Sequence, residues 1–161
     1  MINVAFVCLG NICRSPMAEF IFKRMVKERG LENSFVISSF ATSYEEDGQP
    51  IYPPASRTLK KHGIVAEHRS TPLKLSDIVN NDYILVMDSG NLFDVLRLTA
   101  GEFGEKIFKL CSFTSNPRDV ADPWYTLDFE KAYSDIEDGC KCFLQYLEDN
   151  FGNLFEYNKR H

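Results

Sequence analysis

VCLGNICRSP, residues 7–16, packs two cysteines, a glycine, an asparagine, an arginine, a serine and a proline into the ten positions after an apolar run. That run, INVAFVC (2–8), has the character of a strand buried on both faces. Gly10 and Asn11 tolerate left-handed backbone angles and mark a tight turn. Ser15 and Pro16 read as an N-cap and a first helical position, opening a helix over 16–29 that stops at Gly30. A strand, a tight loop and a helix in that order place the stretch at the carboxyl end of the first strand, where parallel α/β sheets bind their ligands.

A structural turn accounts for Gly10 and Asn11 but not for Arg14. A cation at a helix start adds to the positive end of the dipole unless an anion lies between them. An anion from outside the chain resolves the conflict. Backbone N–H groups of Leu9, Gly10, Asn11, Ile12, Cys13, Arg14 and Ser15 would form a concave nest at the helix N-terminus. Arg14 would close it with a planar fork matched to two phosphate oxygens. The same field favours a thiolate at Cys8, and the Ser15 hydroxyl could support the sulfur as a leaving group. Zinc fits poorly, because Cys8 and Cys13 lack a second close Cys/His pair, so neither metal nor cofactor is expected. Cys111, Cys140 and Cys142 read as small buried residues.

Outward from this stretch, strands and helices alternate. FVISSFA (35–41) reads as the second strand, 42–53 as a loop and 54–63 as a short helix. DYILVMD (82–88) is the clearest strand, followed by a helix over 91–99 and a fourth strand, EKIFKLCSF (105–113). Residues 114–126 read as loop, from Asn116-Pro117 and Asp122-Pro123. In the last helix Phe129, Ala132, Tyr133, Ile136, Cys140, Phe143, Leu144 and Leu147 follow steps of three and four. The tail, about 152–161, is expected to fray. Such alternation implies a parallel sheet, and 161 residues suffice for a single domain spanning 1–161.

Composition narrows the function. Eighteen basic against 23 acidic residues give a net charge of −5, which disfavours nucleic acid. No apolar run approaches the ~20 residues of a membrane span, and MINVAFVCLG lacks the basic start of a signal peptide. Five cysteines, an odd number, argue for reduced thiols. The reading is a soluble cytoplasmic protein without a membrane partner.

The filled loop, Cys8-Leu9-Gly10-Asn11-Ile12-Cys13-Arg14-Ser15-Pro16, resembles the signature of the low-molecular-weight protein tyrosine phosphatases. The likeness continues in HGIVAEH (62–68), DYILVMD (82–88) and DPWY (122–125). It implies a four-stranded parallel sheet with helices on both faces, and a two-step phosphoryl transfer. It also implies Cys8 as nucleophile, Arg14 as phosphate clamp and Asp122 as general acid. Asn11 resembles the family's strained asparagine and Ser39 its side-chain partner, with His68 and Asp88 in supporting places. Phe40 stands where members carry Gly or Ala, and Trp124 where many carry Tyr.

An aryl phosphate needs an apolar slot, for which Leu9, Trp124, Tyr125 and the loop carrying Tyr44 and Glu45 are candidates. The expected substrates are tyrosine-phosphorylated proteins and small aryl phosphates, with inorganic phosphate as product and inhibitor. Phosphoserine and phosphothreonine should be poorer. Relatives resembling protein-arginine phosphatases carry Thr at the position of Ile12, whose branched apolar surface suits an aromatic ring instead. A thiol-dependent arsenate reductase would need resolving cysteines that this chain places in its strand and last helix. An idle phosphotyrosine-binding module would not need Cys8, Arg14 and Asp122 together. Cys13 reads as a guard able to trap oxidised Cys8 as a disulfide.

Overall fold

The computed structural model describes residues 1–160, with side chains described through Gly152. Four strands, β1 (Ile2–Cys8), β2 (Phe35–Ala41), β3 (Tyr83–Val86) and β4 (Ile107–Lys109), form one parallel sheet in the order β2-β1-β3-β4. Helices α1 (Arg14–Glu28) and α2 (Pro53–Lys61) follow β1 and β2. Helices α3 (Leu75–Asn80) and α4 (Ser89–Leu98) flank β3, and α5 (Pro123–Thr126) and α6 (Phe129–Arg160) complete the chain. No helix among the described residues is long and apolar enough to cross a membrane.

The alternation of side chains along β1 divides the core in two. Val4, Phe6 and Cys8 join the cluster built with α1 and α6, whereas Ala5 and Val7 join Ile84, Val86 and Val95 on the α4 side. Every one of the eight periodic positions expected to face inward on α6 is buried. Phe22 of α1 is fully buried and meets Phe6 and Phe35 edge-on at 5.8 and 5.4 Å, pairings worth ~0.5–1.5 kcal/mol each beyond burial. Phe40 causes no conflict beneath the loop. Its neighbour Ser39 faces the loop, and Phe40 turns to the opposite face and packs on the α4-side cluster.

Several boundaries differ from the sequence reading. Helix α1 begins at Arg14, so Ser15 is helical and not the N-cap; Cys13 holds that place without a side-chain cap. The Ser15 N–H instead points at the Cys8 sulfur, 3.4 Å away. The fourth strand shrinks to Ile107–Lys109, and Leu110–Phe113 tightens into a 3-10 turn. That turn sends Leu110 and Cys111 inward beneath α6, which a continued edge strand could not do. Helix α3 falls in a stretch to which the sequence reading assigns no element, and the single turn α5 in one read as loop. In α6 the backbone kinks at Phe151, and the expected fraying of 152–161 falls almost wholly on residues whose side chains lie outside the described set.

Close packing of α6 on the Leu110 turn depends on Gly139. A Cβ built there would lie 2.6 Å from Leu110 Cγ, inside any tolerable contact. Gly139→Ala should therefore destabilise the protein by ~1–3 kcal/mol through overpacking, although Ala in a helix interior normally gains about 1 kcal/mol over Gly. Urea unfolding checks it: Gly139→Ala should lower the midpoint in the wild type but cost little in a Leu110→Ala background, where the clashing side chain is gone and its cavity already lowers the midpoint.

Candidate active site

The loop between β1 and α1 curls around the Cys8 sulfur. Asn11 N–H lies 3.3 Å and Ser15 Oγ 3.0 Å from it, and the sulfur is nearly sealed from solvent. Proton counting fixes the direction of the Ser15 bond. Thr71 N–H, which can only donate, lies 3.0 Å from one terminal atom of the Asn11 side chain, so that atom is Oδ1. The other, Nδ2, then donates to Ser15 Oγ at 2.7 Å and to Ser39 Oγ at 3.0 Å. Ser15 Oγ thus accepts from Asn11; of the two acceptors in reach of its own hydrogen, the Phe40 carbonyl at 3.5 Å is the more distant, and a Cys8 thiolate at 3.0 Å can only accept, so Ser15 stabilises negative charge there.

Asn11 itself sits in the left-handed region, at φ 55, and is fully buried. A non-glycine residue holds this conformation only where its surroundings over-determine it. Here they do. His68 Nε2 lies 3.0 Å from both the carbonyl and Oδ1 of Asn11; both are acceptors, so Nε2 carries the hydrogen. Ser39 passes its hydrogen to Glu19 Oε1 at 2.6 Å, and Lys23 pairs with the other Glu19 oxygen at 2.5 Å. Ser70 Oγ donates to the Gly10 carbonyl at 2.8 Å.

Arg14 is 2% exposed, and its placement joins three segments. NH1 donates to Asp88 Oδ2 at 2.7 Å and to the Val120 carbonyl at 2.8 Å, while NH2 stands 3.4 Å from Asp122 Oδ2. Burial works against its charge, but the Cys8 sulfur, Asp88 and Asp122 outweigh that cost and hold its pKa above the usual value. Asp88 also caps α4, accepting from Asn91 N–H at 2.8 Å. Asp122 caps α5, accepting from Trp124 N–H at 3.1 Å.

These groups open onto a cavity of about 170 Å³. Cys8, Leu9, Gly10, Ile12, Cys13, Arg14, Glu45, Asp122, Trp124 and Tyr125 all line it. Asn11, Ser15, Ser39, His68 and Asp88 lie behind it and hold its floor. Tyr44 departs from expectation: it does not line this cavity but turns to an adjoining groove. Burial first, and then the negative sulfur of Cys8, push the Cys13 thiol up, so it remains protonated. Among the described residues no group of His, Cys, Asp and Glu is placed to hold a metal ion.

The sequence reading missed Glu19, Thr71, Ser70, Val120, Tyr52, Ser43 and Glu46. Glu19 had a signal, since it shares a helical stripe with Ser15, Phe22 and Val26 and is itself buried. Thr71 and Val120 act through backbone groups, which leave no side-chain signature. Tyr52 supports the aromatic wall, its ring 5.0 Å from that of Trp124. Ser43 and Glu46 complete the cavity rim.

Comparison with known proteins agrees with this architecture. The family model of low molecular weight phosphotyrosine protein phosphatases matches residues 3–153. A phosphatase of that description from Gallus gallus is 38% identical over 148 residues, which cover 89% of this chain and 94% of the relative. The crystal structure of a low molecular weight protein tyrosine phosphatase from Streptococcus pyogenes superposes with a TM-score of 0.83 at 38% identity, covering 91% of this chain and 93% of that one. An arginine phosphatase from Drosophila superposes with a TM-score of 0.84 at 31% identity, covering 90% and 97%.

His68 links the loop to pH. Burial lowers its pKa, and Glu19 and the Asn11 carbonyl only partly offset this, with Lys23 acting in the same direction as burial. Below the unfolded value of ~6.5 the unfolded chain therefore binds a proton that the folded chain refuses, so this contribution to stability is present above that pH and lost as pH falls through it. Urea unfolding between pH 7.5 and 5.5 should show a declining midpoint. His68→Gln, which keeps a donor but does not titrate, should flatten that slope.

Proposed function

The chain belongs to the low molecular weight phosphotyrosine protein phosphatases, cysteine-dependent hydrolases, and from that premise we propose that it cleaves phosphotyrosine and small aryl phosphates through a phosphocysteine at Cys8. The observation that carries the reading is the convergence on one cavity of Cys8 and Arg14, from the loop after β1, and Asp122, from a segment more than a hundred residues on.

In the first step the Cys8 sulfur attacks phosphorus from the side opposite the ester oxygen. A sulfur–phosphorus bond forms, the phosphorus–oxygen bond breaks, and protonated Asp122 gives its hydrogen to the departing oxygen. The loop amides and Arg14 stabilise the charge on the equatorial oxygens, a preorganised arrangement that needs no rearrangement as charge develops. In the second step water gives its proton to the Asp122 carboxylate and attacks phosphorus. Phosphate departs, and the sulfur leaves as a thiolate held by Ser15 and the Asn11 N–H. Cys13, a protonated thiol on the same cavity, is suited to condense with a Cys8 sulfenic acid, releasing water and forming a disulfide.

Trp124, braced by Tyr52, and the branched apolar surface of Ile12 favour an aryl leaving group. A second reading, cleavage of phosphoarginine, is favoured by the likeness to the Drosophila arginine phosphatase. Measurement of kcat/KM on matched phosphotyrosine and phosphoarginine peptides decides between them. The aryl reading expects phosphotyrosine to lead in the wild type and Ile12→Thr to move the ratio toward phosphoarginine. A wild-type preference for phosphoarginine would overturn it.

The roles themselves are testable by leaving group. Cys8→Ser should abolish turnover and retain phosphate binding. Arg14→Lys should lose at least ~100-fold, since a point charge cannot replace the bidentate fork. Asp122→Ala should slow esters of basic alcohols ~100- to 10,000-fold and spare activated aryl esters, because only the former require the proton. Equal losses across a leaving-group series would remove Asp122 from the acid role.

A further inference from the structure

Beside the catalytic cavity lies a second groove of about 320 Å³, and the two share Leu9 and Ser43. Leu9 forms the ridge between them and is 44% exposed. Beyond it, Tyr44, Leu73, Val95 and Leu98 supply apolar walls from the loop after β2, the segment before α3 and the outer end of α4. Tyr44 and Leu98 are both well exposed, an arrangement that costs solvation unless something covers it. The charged residues of the lining, Asp94 and Arg97, stand 3.9 Å apart and neutralise one another. The groove therefore offers an occupant no net charge.

We propose that this groove is a substrate subsite, seating an apolar side chain of the phosphopeptide within three residues of the phosphotyrosine. The occupant follows from continuity: a peptide whose phosphorylated side chain fills the cavity must leave across its rim, and one side of that rim, over Leu9, opens directly into the groove. An extended chain advances ~3.3–3.6 Å per residue, so three residues span about 10 Å and bring a flanking side chain over Leu73 and Leu98. Elsewhere the rim carries Glu45 and Glu46, which offer an apolar residue nothing, and Trp124 and Tyr125, the wall taken by the phosphotyrosine ring itself. The subsite rests on the tyrosine reading, so its test separates the two.

The experiment uses the full chain and a set of phosphotyrosine peptides in a Gly/Ser background, with one Leu moved through the three positions on either side. One position should raise kcat/KM about tenfold over Gly, in keeping with partial burial of a leucine side chain. Asp or Lys at that position should give no gain. Leu98→Glu should reduce the Leu preference to about twofold or less, with Leu98→Ala between. Turnover of a small aryl phosphate, which cannot reach the groove, should be unchanged in both variants and reports that they fold. A wild type indifferent to Leu at every position, one that prefers a charged residue there, or a preference that survives Leu98→Glu would overturn the subsite while leaving the tyrosine reading intact. Failure of the wild type to cleave any phosphotyrosine peptide while cleaving phosphoarginine would overturn that reading, and the subsite with it.

Discussion

The left-handed backbone of Asn11 is the constraint from which the rest of the site follows. Holding a non-glycine residue at φ 55 costs of order 1–3 kcal/mol, which the chain offsets with hydrogen bonds to the Asn11 carbonyl, Oδ1 and Nδ2. Reversing the backbone there is what aims the Asn11 N–H back at the Cys8 sulfur and closes the loop on itself. A glycine would reach the same angle more cheaply. It would lack the amide that orders Ser15 and Ser39, and so the proton that Ser15 directs at the sulfur would lose its orientation.

Behind Asn11 the polar groups form a chain in which every donor meets an acceptor. Ser39 receives from Asn11 and gives to Glu19; Glu19 is balanced by Lys23; His68 remains neutral under burial and donates to Asn11. Such a buried network is costly if half satisfied and rigid if complete. Its completeness holds the Asn11 and Ser15 N–H groups in place toward the Cys8 sulfur. Arg14 supplies the second constraint. Its three anchors, Asp88, Val120 and Asp122, come from the ends of β3 and the loop before α5, so the guanidinium ties the catalytic loop to the segment bearing the acid. Removing a single partner of such a buried charge typically costs ~3–5 kcal/mol, far more than the pair contributes at a surface.

The division of the walls carries the specificity argument. Trp124 stands against Tyr52, which reaches the site through its N–H on the Ile12 carbonyl at 2.8 Å. The aromatic wall and the floor of the loop are therefore mechanically joined. Tyr44, assigned by sequence to the same wall, belongs to the groove beyond Leu9, because the loop after β2 turns Ser43, Glu45 and Glu46 inward and Tyr44 outward.

What the sequence determined by itself was local or periodic. The apolar run of β1, the left-handed turn at Asn11, the misplaced cation Arg14 and the three-four stripe of α6 are each readable because their cause lies within a few residues, whereas Gly10, read the same way, stays outside the left-handed region. The family resemblance added Asp122, Ser39, His68 and Asp88, which no short-range pattern singles out. Only the tertiary structure decided the rest. The fourth strand stops at Lys109 because Leu110 must pack beneath Gly139, a contact with a helix distant in the chain. Ser15 leaves the capping role because the Cys8 sulfur, and not its own hydroxyl, faces the first turn. Glu19, Thr71 and Val120 matter through partners brought together by folding, two of them by backbone groups that every residue carries alike. A sequence encodes side chains and their spacing; which carbonyl or N–H will face them depends on how the sheet stacks its crossovers, and that is settled only when the chain has closed on itself.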